Sequence, residues 1–132
     1  MNKFLIKSET PRDTMDWGTV AWLSHPPLTQ NKQITALDVE LTPGEGHDFH
    51  YHPGQEEVIV IIKGTVEQWV GEEMRMLNPG DAVFIDADMV HASFNNGDEP
   101  AYLIAILGPC VGEIGYGVVE VADQAPWNSL RV

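Results

Sequence analysis

Nowhere in this chain does an apolar period of 3.6 residues run long enough to build a core-bearing helix. What recurs instead is a short run of β-branched and aromatic residues, closed off by a cluster of turn formers. The runs are "KFLIK", "GTVAWLS", "ITALDVELT", "EVIVIIKG", "TVEQWV", "MRML", "AVFID", "HASFN" and "AYLIAIL". Between them lie "HPPLTQN", "TPGEG", "HPGQ", "NPGD", "NNGDEP" and "LGPC". Many short strands at close spacing predict an antiparallel sandwich or barrel, an all-β fold. Two segments stand apart. "ETPRDTMDW" is expected to make a single helical turn, and the tail "ADQAPWNSLRV" another turn or a cover over an edge strand. The Val58 to Ile62 run is apolar at every position, which predicts a strand with both faces in the interior.

A length of 132 residues fits one domain, and 43% hydrophobic residues suffice for a core. Acidic residues number 20 against 7 basic, for a formal charge of −13. Such a surface repels phosphate backbones and anionic lipid, so neither nucleic acid nor membrane is an expected partner. The lone cysteine, Cys110, permits no internal disulfide and has nothing beside it in sequence to activate a thiol. The first residues hold a three-residue apolar core between lysines, too short for a signal or a span, and the expected location is the cytoplasm.

Three of the five histidines fall within six residues, in "HDFHYH". His50 and His52 are two apart, so on a strand both leave one face. Glu57 has the opposite parity on an unbroken strand, but Pro53-Gly54 breaks the chain between them and a bend there can return it to the imidazoles. A carboxylate at the head of a buried strand needs a compensating charge, and a cation is the simplest. A fourth ligand must then come from elsewhere in the chain.

The spacing Gly44-x5-His50-x-His52-x4-Glu57-x6-Gly64 resembles the first motif of the cupin superfamily at every defined position. The second cupin motif is matched by Gly80, His91 and Asn95, while its proline and second glycine are Asp86 and Asp88 here. The resemblance covers roughly residues 35 to 108, with residues 1–34 as an N-terminal extension and 109–132 as a C-terminal extension packing on the barrel. It implies a double-stranded β-helix, a jelly-roll barrel, holding one metal through His50, His52, Glu57 and His91. Three imidazoles and one carboxylate suit Fe, Mn, Ni, Co, Cu or Zn and offer too few oxygens for Ca. An octahedral ion would keep two positions open for water, O₂ or a chelating substrate. Glu56 is the alternative carboxylate, and Glu57 is preferred because its distance to Gly64 fits the motif. Small cupins are often dimers, so a homodimer is expected.

Around that site, His47 has the wrong parity to join His50 and is a candidate rim proton shuttle, set against a solvated loop histidine. Gln68 shares a face with Val66 and Val70. If that face points inward, its amide is a candidate for orienting a substrate. Asn95 is expected to lock a turn, Phe49 and Phe84 to wall the core, and Trp17 and Trp22 to extend a sheet or meet a second subunit. The function expected is a metal-dependent enzyme acting on a small oxygen-rich or carboxylate-bearing molecule, of dioxygenase, isomerase or lyase type. The alternative is a non-catalytic small-molecule sensor. Dimethylsulfoniopropionate lyases of the superfamily are similar in size, but their tyrosine shortly after the glutamate has no counterpart in Glu57-Val58-Ile59.

Overall fold

The computed structural model describes residues 3–131. Eleven strands form two antiparallel sheets facing one another. The first sheet contains β1 (Asp13–Met15), β2 (Gly18–Ser24), β3 (Thr35–Leu41), β5 (Glu56–Lys63), β8 (Ala82–Ile85) and β10 (Ala101–Gly108), in the order β1-β2-β3-β10-β5-β8. The second contains β4 (Gly46–Tyr51), β6 (Val66–Val70), β7 (Glu73–Leu77), β9 (His91–Phe94) and β11 (Val119–Glu120), in the order β11-β4-β9-β6-β7. Chain neighbours such as β4 and β5 lie in different sheets, which is the jelly-roll connection the strand pattern predicts. The helices are single turns, α1 (Pro26–Thr29) and α2 (Trp127–Leu130). No described helix is long and apolar enough to cross a membrane.

Alternation builds the core. Leu37, Val39 and Leu41 of β3, Ile59 and Ile61 of β5, and Leu103, Ala105 and Leu107 of β10 project inward as one buried cluster. Thr35 takes the inward parity of β3 and bonds the Gly115 carbonyl at 2.7 Å. A second cluster lies on the outer face of the other sheet. Phe49, Ala92 and Phe94 meet Val121, with Trp127 and Leu130 closing over them. Phe49 therefore walls a core, though one under the C-terminal segment.

Several expectations are corrected here. Lys3 to Ile6 of "KFLIK" form no strand, and Lys7–Glu9 make a single 3-10 turn. Within "ETPRDTMDW", Asp13–Met15 form β1, because pairing with β2 through a tight hairpin satisfies more backbone groups than an isolated turn. The Val58 to Ile62 run is interior on one face only. Its other face looks outward, with Ile62 53% exposed. Phe84, paired to Val58, is likewise outward and 52% exposed, so it does not wall the core. No further layer covers this side of the six-stranded sheet among the described residues.

Candidate metal centre

Glu57 shares the parity of Ile59 and Ile61, so strand alternation aims its carboxylate into the barrel and leaves Glu56 exposed. His50 sits near the end of β4, His52 just beyond it, and His91 at the start of β9, paired with His50. All three imidazoles and Glu57 are at least 95% buried. One ring nitrogen from each of His50, His52 and His91 lies within 4.8 Å of the others. Glu57 Oε1 is 2.8 Å from His91 Nε2 and 3.3 Å from His52 Nε2. The four residues singled out by spacing therefore come together in space.

The backbone sets the chemistry of the rings. His50 Nδ1 meets the Asp48 carbonyl at 2.6 Å, His52 Nδ1 the Gly117 carbonyl at 2.7 Å, and His91 Nδ1 the Met89 carbonyl at 2.9 Å. A carbonyl oxygen only accepts, so each Nδ1 carries the proton, and a neutral ring then presents Nε2 as a bare lone pair. His91 Nε2 and Glu57 Oε1 are buried without a hydrogen-bond partner among the described residues, although they face each other. Two acceptors that close require a positive charge between them, a metal ion or a proton. Burial, reinforced by the neighbouring imidazoles, lowers His50 well below the ordinary histidine range and keeps it neutral. Burial alone would raise the Glu57 carboxyl, but the His52 and His91 rings against it, where a proton sits between ring and carboxylate, outweigh burial and lower Glu57 to about 2.

Two local devices hold this arrangement. A Cβ at Gly46 would collide with the Ser93 carbonyl, so glycine lets β4 lie close against β9. At the departed position of the second motif, Asp88 adopts φ 67°, the left-handed conformation that a glycine would supply. Aspartate is among the few other residues that visit this region. Its Oδ1 accepts the Gly54 N–H at 2.9 Å, tying the loop before His91 to the bend after His52.

His47 overturns the parity expected of it. His47 pairs with Ser93 and His50 with His91, so three steps on β4 match two on β9. This bulge shifts His47 onto the His50 face. Their rings stack at 3.5 Å, Trp17 stacks on His47 at 4.9 Å, and His47 Nε2 is 2.9 Å from Glu120 Oε1. Gln68 does face inward, 2% exposed, but its amide accepts the Ser93 hydroxyl at 2.6 Å and borders a different opening, beside Arg75 and Leu77. Asn95 locks its turn, donating to Leu41 and Glu99 carbonyls and accepting from Gly97 N–H.

The histidine cluster opens on a cavity between the sheets, about 590 Å³ with its mouth included. Its lining includes Trp17 and Trp22, whose segment extends the six-stranded sheet through β2, and Tyr116, which sequence reasoning missed. Tyr116 lies 4.9 Å from His52 between ring centroids. Burial, with the charges of Glu57 and Glu120 behind it, pushes its phenol well up, so it stays protonated. Its signal was absent from sequence because the loop holding it, residues 109–117, is placed only by long-range bonds. Gln55 Nε2 donates to the Pro109 and Gly115 carbonyls, and Gly117 N–H donates to Gln55 Oε1.

Comparison with known proteins agrees with this architecture. The cupin domain family model matches residues 37–107. This chain belongs to the cupin family. Among its relatives, the polyketide synthase protein CurC of Streptomyces cyaneus is 32% identical over 91 residues, covering 69% of this cupin and 59% of that protein. Tetracenomycin polyketide synthase protein TcmJ of Streptomyces glaucescens is 35% identical, covering 62% of this cupin and 55% of that protein. The cupin thus spans well under two thirds of these relatives. Among solved structures, KdgF from Halomonas sp. superposes with a TM-score of 0.74 at 19% identity, over 86% of this chain and 98% of that one. Lactobacillus farciminis oxalate decarboxylase superposes at 0.75 and 21% identity, over 88% of this chain and 35% of that one. At these identities the likeness is one of fold.

Proposed function

We propose that this cupin is a metal-dependent enzyme that acts on an oxygen-bearing small molecule, with His50, His52, Glu57 and His91 holding one divalent transition-metal ion. The observation that carries this reading is the set of three backbone-locked imidazoles whose bare nitrogens converge, two of them against a buried carboxylate. That donor set fits Fe, Mn, Ni, Co, Cu or Zn. Such an ion supplies Lewis acidity towards a substrate oxygen, and redox capacity where it is Fe, Mn or Cu.

The chain's own groups then divide the remaining work. The Tyr116 phenol donates a hydrogen bond to a substrate oxygen beside His52. His47, linked to Glu120, moves protons at the rim. Trp17 caps the His47–His50 stack and keeps water from that side of the cavity. Gln68 acts by holding Ser93, away from substrate. Isomerase, lyase and dioxygenase chemistry are all open to this arrangement. The Streptomyces relatives named as polyketide synthase proteins support a substrate with a carbonyl-bearing carbon skeleton. The formal charge of −13 favours a small-molecule partner over nucleic acid or membrane. In this reading the protein works as a homodimer in the cytoplasm, where Cys110 stays reduced.

Elemental analysis of protein prepared without chelators tests the site. The wild type is expected to carry one ion per chain. His91→Ala should lose most of it while keeping a native circular-dichroism spectrum, and His47→Ala should retain it. Full metal in His91→Ala removes His91 from the ligand set. Tight ligand binding by metal-loaded protein without any turnover, aerobic or anaerobic, favours a sensor.

A further inference from the structure

Apart from the histidine cluster and Glu57, the cavity is walled almost entirely by hydrocarbon and aromatic rings. Val20, Leu37, Val39, Ile59 and Leu103 form one side, with Trp17, Trp22 and Met15 towards the mouth. Among the described residues no lysine or arginine lines it. Arg12, just before β1, is bound to Asp38 at 3.1 Å and to Thr19. Three neutral imidazoles, one carboxylate and a divalent ion sum to a single positive charge. A dicarboxylate would satisfy that charge with one group and strand the other, unpaired, against hydrocarbon. A sugar acid fares no better. The Ser93 hydroxyl is already donated to Gln68, and His47 is held by Glu120, which leaves the Tyr116 phenol and the Trp17 indole N–H, both donors, as the unpartnered polar groups of the wall among the described residues.

The space is also narrow. Within about 590 Å³, the open mouth included, two indoles and a phenol stand along it, with Trp22 edge-on to Tyr116 at 5.6 Å. Flat rings fill such a slot and bury their apolar faces there.

On the metal-site reading above, we infer that the substrate is a mainly apolar, flat ring compound of at most one negative charge. An adjacent pair of oxygens at one edge faces the imidazoles and Tyr116, and the ring lies against Trp17 and Trp22. Dicarboxylates and sugar acids are excluded.

The test uses isothermal titration calorimetry on the metal-loaded protein, with 2-hydroxyacetophenone, oxalate and galacturonate as probes and metal content assayed on every sample. The hydroxyketone should bind at least about tenfold tighter than either acid. Trp17→Ala should weaken it roughly tenfold by removing ring contact, and Tyr116→Phe about three- to tenfold by removing one donor, both with metal content unchanged. Met15→Arg, at the exposed mouth, places a cation without touching the core and should narrow the preference about tenfold towards the acids. Acids binding as tightly as the hydroxyketone, no hydroxyketone binding, or unchanged affinity in Trp17→Ala would each overturn the inference, whatever the metal content. A protein that refuses metal but still prefers the hydroxyketone supports it and defeats the metal reading instead.

Discussion

Gln55 carries no reactive group, yet its side chain uses every hydrogen-bonding capacity that matters around it. Two N–H bonds go to the carbonyls of Pro109 and Gly115, and its oxygen accepts from Gly117. Gly117 in turn accepts the Nδ1–H of His52, so one buried amide fixes the orientation of a proposed ligand from two steps away. Gln55→Leu keeps the volume and leaves these backbone groups unpaired. The expected loss is about 2–4 kcal/mol in urea unfolding, with metal affinity down roughly tenfold or more. Equal stability and equal metal affinity would show that the loop is held by other means. Asp88 makes a related point. The motif's glycine is replaced, yet the left-handed backbone survives because a carboxylate side chain tolerates it and gains a bond to Gly54.

Among elements, the tail is the one that works by covering another. Arg131 Nε reaches Glu67 Oε2 at 2.6 Å, its guanidinium lies 3.7 Å over the Phe94 ring, and Trp69 Nε1 donates to the same carboxylate. This clasp pins α2 over the second core on the outer face of the five-stranded sheet. Burial pushes Glu67 up, but bonding from Arg131, Trp69 and Asn96 outweighs it and leaves Glu67 below its ordinary value of 4.5. A depressed carboxyl stabilises the fold above its unfolded pKa and loses that contribution as pH falls through the folded one. Glu67→Gln should therefore cost about 1–2 kcal/mol at pH 7, with the gap to wild type closing as the pH falls below the ordinary carboxyl value of 4.5. Denaturation curves at both pH values check this, and a gap that widens in acid contradicts it. Strand β4 is the other informative element. Its bulge changes which histidines share a face, because register depends on the partner strand and not on β4 alone.

For the molecule as a whole, the outer face of the six-stranded sheet is the surface that bears on assembly, since no described residue layers over it. Phe84, Val58, Ile106 and Ala36 lie opposite one another in a row across β8, β5, β10 and β3, and Phe84 and Ile106 are exposed. An apolar row on so acidic a chain matches a self-complementary contact in which two copies bury it against each other. In the proposed homodimer, Phe84→Asp with Ile106→Lys should yield monomers by analytical ultracentrifugation while the metal content holds. A wild type that sediments as a monomer at tens of micromolar removes this face as the dimer contact.

What the sequence determined by itself was whatever depends on near neighbours along the chain. Short β-branched runs and the turn residues between them marked most of the strands. The bend at Pro53-Gly54 marked how Glu57 could return to His50 and His52, while His91, which arrives from β9 by pairing with β4, was marked by the resemblance to the second cupin motif. What only the tertiary structure decided was which faces meet water, and which distant side chains share the cavity. The Val58 to Ile62 run looks buried twice over in one dimension, yet exposure depends on whether a third layer exists. His47, Trp17 and Tyr116 entered the site through a bulge, a hairpin and a loop fastened by Gln55, all of them fixed by contacts across the barrel and not by local pattern.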